Sequence, residues 1–317
     1  MINKLKILRA KGLYPYRNQA IEKYLLDVCK AGEMILYLWA NDNTVFIGKN
    51  QNAYTECNIS SLVSNGGYLA RRFTGGGAVY HDRGNLNFTF ITCRKDYDIS
   101  NQLAVILEAM RALGFNAKVN GRNDITIEGK KFSGNAFYKS RTVCLHHGTV
   151  LINSAPENIA KYLKVSKVKL NAKGVKSVKS RVCNLCEYIE VSAEEVAEAL
   201  QTALFNRFPN AERQFLKECD LPEDKLKELT GQFADQSYIL GDDIHYSVEF
   251  EHRYNWGVAD IRLEFNGDII EKAKIYSDAL DNGAVELREK LLTGYDLTKR
   301  TGPRIKDIID TFKAEKK

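Results

Sequence analysis

Arg71 and Arg72 stand just ahead of three consecutive glycines, Gly75 to Gly77, and His81, Asp82 and Asn85 follow shortly after. Consecutive glycines let backbone N–H groups turn inward and approach an anion with no side chain in the way. A guanidinium beside them can hold a phosphate or carboxylate through two donors at once. A plain turn needs fewer glycines, so the stretch RRFTGGGAVYHDRGN reads as an anion-binding loop. It is not a Walker loop, because no Gly-Lys-Ser/Thr follows, and it lacks the third spaced glycine and the helix of a dinucleotide fingerprint. A second set of chemically capable residues lies in GRNDITIEGKKFSGNAF, from Gly121 to Phe137. If the residues after Gly129 form a strand, Lys131, Ser133 and Asn135 share one face and Lys130, Phe132 and Gly134 the other. An ammonium, a hydroxyl and an amide on one face point to a polar site, while Gly134 allows close backbone approach on the opposite side.

A third set is His146-His147-Gly148, set in an otherwise apolar run. With Cys144 nearby and Cys183-x-x-Cys186 further on, zinc is one reading. A single CxxC without a second ligand pair supports it poorly, and buried, hydrogen-bonded histidines are favoured. A Cys144 nucleophile served by His146 or His147 is disfavoured, since strand neighbours at this spacing rarely align that way. From Asn158 to Cys186 there is no acidic residue. Lys161, Lys164, Lys167, Lys169, Lys173, Lys176, Lys179 and Arg181 there supply more positive charge than the chain's net +6. The stretch has only Tyr162 to stack a base and no recognisable nucleic-acid motif, so it reads as a mobile loop that folds over a phosphate.

The elements that must position these residues follow from periodicity. A chain of 317 residues, 27% charged and 44% hydrophobic, fits a soluble globular protein with one large and one small domain. No apolar run reaches membrane-spanning length, the N-terminus has no secretory pattern, and the scattered cysteines read as reduced thiols of a cytoplasmic protein. Helices are predicted at 18–29, 101–113, 193–208 and 222–233. Strands are predicted at 34–39 and 44–48, joined by a polar turn, then at 86–92 and 142–153. A hairpin turned at Glu128-Gly129 lies between the last two. After a linker at about 235–246, three alternating runs with a turn at Asn266-Gly267-Asp268 and two closing helices, around 281–293 and 303–314, make the second unit. The fold class is α+β with a mostly antiparallel sheet, divided as a catalytic, ligand-binding unit at 1–243 and a small α+β accessory unit at 244–317.

Together the glycine stretch, GRNDI…KFSGNAF, HHGTVLIN and KLNAKGVKSVKSRVCNL resemble, in order, motifs of the lipoate–protein ligase A family, and the likeness runs over nearly the whole chain. The resemblance implies a large domain of the kind shared by biotin ligases and class II synthetases. It also implies a two-step reaction: lipoate and ATP give lipoyl-AMP and pyrophosphate, and a lysine of a lipoyl-domain acceptor then displaces AMP. The acceptor would be an E2 subunit or the glycine-cleavage H protein, with no nucleic-acid or membrane partner, and the enzyme would act as a monomer. On the same basis Lys131 would be catalytic, placed between the lipoyl carbonyl oxygen and the α-phosphate. Arg72 and the backbone of Gly77, Ala78, Val79 and Tyr80 would hold the nucleotide phosphates. Asp124 and Asn85 would serve the adenylate side or its Mg²⁺, the only metal implied. Gly76, His81 and His147, together with Arg72 and Lys131, would line the lipoyl pocket. Phe73 departs from the small polar residue of many relatives. Alternatives are an octanoyl or lipoyl transferase or amidotransferase of the same superfamily, and a non-catalytic binding regulator. The thioester cysteine of those transferases lies shortly upstream of the lysine motif, where this chain has Asn123-Asp124, which favours the ligase.

Overall fold

The structure, a computed structural model, describes residues 2–121, 123–164, 182–241 and 246–315. Its strands, in chain order, are β1 (Lys4–Arg9), β2 (Glu33–Trp39), β3 (Thr44–Ile47), β4 (Tyr68–Arg71), β5 (Val79–His81), β6 (Asn85–Cys93), β7 (Ala117–Asn120), β8 (Asp124–Ile127), β9 (Lys130–Lys139), β10 (Val143–Leu151), β11 (Glu212–Leu216), β12 (Val248–Tyr254), β13 (Gly257–Asn266) and β14 (Ile269–Ser277). An eight-stranded sheet runs β11-β1-β2-β6-β10-β9-β8-β7. Its β11–β1 and β1–β2 pairs are parallel and the rest antiparallel, so the class is α+β with a mainly antiparallel sheet, as expected.

Both faces of this sheet are buried, and the two-residue period of the strands sorts their side chains. Met34, Leu36 and Leu38 of β2 and Leu86, Phe88 and Phe90 of β6 join one core with the helices Ile99–Ala112 and Ala193–Arg207. Ile35, Tyr37 and Trp39 of β2 join a second core with the helices Pro15–Val28 and Glu223–Ala234. On that second face β6 carries Asn87 and Thr89 ahead of Ile91, and both polar residues are buried. A polar floor under a helix is where a site can form.

β3 does not form a hairpin with β2, contrary to the sequence reading. It leaves the large sheet and centres a small one, β4-β3-β5, which packs on the second core. The expected hairpin at Glu128-Gly129 is present, with both residues at positive φ, 50° and 80°. The sequence reading makes no assignment for β1, β4, β5, β7 and β11 or for the short helices Ala53–Glu56, Ile59–Ser64 and Pro156–Tyr162. Part of the expected linker, Gln236–Leu240, is helical, and the segment 242–245 lies outside the described residues.

β12, β13 and β14 form a separate antiparallel sheet, covered by the helices Asn282–Leu292 and Lys306–Glu315 around a third core that includes Phe250, Ile261, Ile275, Ile308 and Phe312. This unit rests on the glycine loop. Gly76 N donates to Ala279 O at 3.0 Å, Ser277 N to Asn50 O at 2.8 Å and Asn282 Nδ2 to Phe73 O at 3.1 Å. A β-carbon on Gly75 would stand 2.4 Å from Ala279 O, so only glycine allows this approach. Among the described residues no helix is long and apolar enough to cross a membrane.

Candidate active site

The site is built where β9 and β10 face the glycine loop. β9 carries a bulge: Ile125 pairs with Ser133 but Thr126 with Lys131, so Phe132 is an extra residue. This corrects the expected strand face. Phe132 and Ser133 both turn into the core, and Lys131 emerges beside Gly134 rather than beside Ser133 and Asn135. A β-carbon at Gly134 would lie 2.7 Å from Lys131 Nζ, so that glycine makes room for the ammonium. Lys131 Nζ pairs with Asp124 Oδ1 at 2.6 Å, and Lys131 O accepts from Cys183 N at 2.9 Å.

Two cavities meet at Lys131. The first is a narrow slot of about 120 Å³ between Trp39, Phe46, His81, His147 and Ala136. The second, about 620 Å³, is wide and of mixed polarity, a size typical of small-molecule sites (roughly 300–1,000 Å³), and is lined by Tyr80, Asp124, Lys164, Val182 and residues 253–258. Gly76, Gly77, Ala78, Val79, Asn123, Lys131 and Thr149 border both.

The slot's polar groups are fixed from behind. Asn18 Nδ2 donates to Asn41 Oδ1 at 3.0 Å, which orients the Asn41 amide so that its Nδ2 donates to His81 Nδ1 at 3.1 Å. Burial, helped by the charge of Arg72 and by His147, pushes the His81 imidazole down to about 3. It is therefore neutral, with its proton on Nε2, and that atom has no partner among the described residues. His147 Nδ1 donates to Glu22 Oε1 at 2.8 Å, Thr89 Oγ1 donates to the same oxygen at 2.7 Å, and His147 Nε2 meets Thr74 Oγ1 at 2.8 Å. Its neighbour His146 faces the other core and is satisfied by Asn135 and Gln102, and burial holds it down to about 3. Burial also raises the Cys144 thiol, which leaves it a poor nucleophile.

The two arginines divide their work. Arg71 is buried and donates to the carbonyls of Gly48, Lys49, Gln51, Tyr238, Ile239 and Leu240, tying the loop after β3 to the end of the large unit. Arg72 lines the slot, yet its guanidinium donates to Gly75 O, Gly77 O and Phe46 O and so holds the glycine loop in shape. Burial lowers it to about 10, which still leaves it charged at neutral pH.

Of the expected site residues, Arg72, Gly76, Gly77, Ala78, Val79, Tyr80, His81, Asp124, Lys131 and His147 all border one or both cavities. Asn85 does not. It is buried at the start of β6 and donates to Asn87, which reaches the slot wall in its place. The basic stretch 165–181 lies outside the described residues, while its flanks Lys164 and Val182 line the wide cavity. The sequence reading missed Glu22, Trp39 and Asn123. The one available signal was an acid at position 22 within the apolar face of a helix.

The family model of the lipoyl protein ligase A/B catalytic domain matches residues 14–205, and that of the bacterial lipoate protein ligase C-terminus matches 243–316. The chain belongs to the lipoate–protein ligase family. Lipoate-protein ligase A of Psychrobacter cryohalolentis is 35% identical over 297 residues, covering 91% of this chain and 88% of that protein. Among solved lipoate ligases, LipL1 of P. falciparum in complex with lipoate superposes with a TM-score of 0.82 at 27% identity, covering 98% of each chain. A lipoate-protein ligase A bound with ATP superposes at 0.64 with 27% identity, covering 76% of this chain and 99% of that one.

Proposed function

We propose that this ligase activates lipoate with ATP as lipoyl-AMP, releasing pyrophosphate, and then passes the lipoyl group to a lysine of an acceptor lipoyl domain, in an E2 subunit or H protein. The observation that carries this reading is the meeting of a narrow, largely apolar slot and a wide cavity of mixed polarity at one ammonium, Lys131. A slender apolar chain ending in a carboxylate suits the slot, and a nucleotide suits the cavity. Both reactants of the first step are anions and repel each other until fixed positive charge holds them together. Lys131 supplies that charge where carbonyl and α-phosphate oxygens would converge, and its role is electrostatic rather than nucleophilic. Asp124, 2.6 Å from Nζ, aims the ammonium.

The backbone from Gly77 to Tyr80 borders the wide cavity and would hold the nucleotide. Arg72 contributes mainly by shaping the loop. His81, with a proton on an Nε2 that has no partner among the described residues, and His147, braced by Glu22, line the lipoyl slot. Glu56, Asn120 and Asp124 place oxygen donors on the wide cavity's wall, the ligand type that Mg²⁺ takes beside phosphates. Mg²⁺ would be held by Asp124 with the nucleotide and would neutralise phosphate charge. We further propose that the enzyme acts as a cytoplasmic monomer, with its small unit beginning near residue 244. The test is to incubate the protein with lipoate, ATP, Mg²⁺ and an unmodified lipoyl domain and to weigh the acceptor by mass spectrometry. Gain of one lipoyl group, dependent on ATP and on the acceptor lysine, is expected. An unmodified acceptor would refute the reading.

A further inference from the structure

We propose that Arg253, from the small C-terminal unit, is a catalytic residue of adenylate formation that holds the departing pyrophosphate. The inference rests on reading the wide cavity as the ATP site. Residues 253–258, the end of β12, its turn and the start of β13, line that cavity together with Lys131 and the glycine loop, and none of them borders the slot. In the β12–β13 register Arg253 stands directly across from Val258, and both residues line the cavity. The wall is rigid. The Tyr254 and Trp256 rings stack at 5.0 Å, Trp256 Nε1 donates to Asp307 at 2.9 Å, and the Arg288 guanidinium lies 4.6 Å from the Trp256 ring. Val258 N donates to Asp278 Oδ1 at 2.9 Å, closing the turn.

The cations lining this cavity among the described residues are Lys131, Lys164 and Arg253. Lys131 is paired with Asp124, and Lys164 donates to Tyr54 O at 2.9 Å. Arg253 alone has no ion-pair or hydrogen-bond partner for its side chain among the described residues, so its fork is free for a ligand. A planar fork suits a phosphate bidentately. In the first step a lipoate carboxylate oxygen bonds to the α-phosphorus as the bond from that phosphorus to the α–β bridging oxygen breaks, and pyrophosphate leaves with the electron pair. Negative charge therefore grows on the leaving group, on the side of the cavity away from the slot. Lys131, at the slot, serves the α-phosphate. Arg253 serves the other end.

The experiment uses the full-length protein with Arg253→Ala, Arg253→Gln and Arg253→Lys. It measures adenylate formation from lipoate and ATP, the KM for pyrophosphate in the reverse reaction, and lipoyl transfer from separately supplied lipoyl-AMP. Arg253→Ala and Arg253→Gln should slow adenylate formation on the order of thirtyfold and raise the pyrophosphate KM about tenfold. Arg253→Lys should recover part of both, and transfer from lipoyl-AMP should stay within about twofold of the wild type. Adenylate formation within twofold of wild type in Arg253→Gln overturns the assignment, and so does an equal loss in both half-reactions. Wild-type protein that makes no adenylate from lipoate and ATP overturns the reading of the cavity itself, a result distinct from either.

Discussion

Lys131 is the residue on which the proposed chemistry turns, and its neighbour provides the control. Lys131→Ala should lower adenylate formation by on the order of a hundredfold or more, about 3 kcal/mol, because a desolvated electrostatic contact is lost. Lys131→Arg should rescue little, since a planar fork cannot replace a compact ammonium in the space above Gly134. Lys130 is exposed, and Lys130→Ala should stay within about twofold of wild type, as other surface changes do. Single-turnover adenylation assays on the three variants check this, and equal losses at 130 and 131 would contradict it. The buried histidines give a second expectation. His81 and His146 hold values of about 3 in the folded chain against about 6.5 in the unfolded chain, so below pH 6.5 the unfolded chain binds protons that the native one refuses. Their stabilisation is complete above that pH and is lost as pH falls toward 3, by roughly 1.4 kcal/mol per pH unit for each. Urea unfolding between pH 7 and 5 should show this slope, and His146→Gln should flatten it even where it lowers stability at neutral pH.

At the scale of elements, the glycine loop is held by what lies behind it. Arg71 joins carbonyls of residues 48, 49 and 51 to those of 238–240. Arg71→Ala would leave several buried acceptors unpaired and should destabilise the protein by about 3 kcal/mol. Arg71→Lys should help little, because one ammonium cannot reach both groups, and denaturant midpoints test both. The sequence told the two arginines apart poorly: charge beside glycines signals an anion, but nothing local shows that one guanidinium will turn toward distant carbonyls. Long periodic elements were legible, including the helix Ile99–Ala112, the β8–β9 hairpin and β10, because alternation or helical spacing repeats within each. The bulge in β9 was not, since the extra residue is defined only by the partner strand. β11 was also hidden, because its short, exposed sequence becomes a strand only by pairing with β1, far away in the chain. The departure of β3 from β2 had the same cause: a polar turn permits a hairpin, and only the packing of the second core sends β3 elsewhere. Lys131, His81, His147 and the glycine loop were singled out because their order matched a known family, and all border a cavity, whereas Glu22 and Asn87, which also line the slot, carry no motif.

At the scale of the molecule, the three cores suit the proposed two-step reaction to one chain. The third core, around β12–β14, is self-contained, and the slot borders no residue of it. A protein ending near Asp243 should therefore fold, bind ready-made lipoyl-AMP and transfer the lipoyl group from it, yet form the adenylate poorly because part of the wide cavity's lining is gone. Measuring the two half-reactions separately on that fragment checks the division; full rates in both would deny the small unit a catalytic part. The central claim is that this chain joins lipoate to a nucleotide at Lys131. The most direct measurement is the exchange of labelled pyrophosphate into ATP, with and without lipoate, in wild type and Lys131→Ala. Exchange that requires lipoate and disappears in Lys131→Ala is the predicted result. No exchange in the wild type, or exchange undiminished in Lys131→Ala, would contradict it.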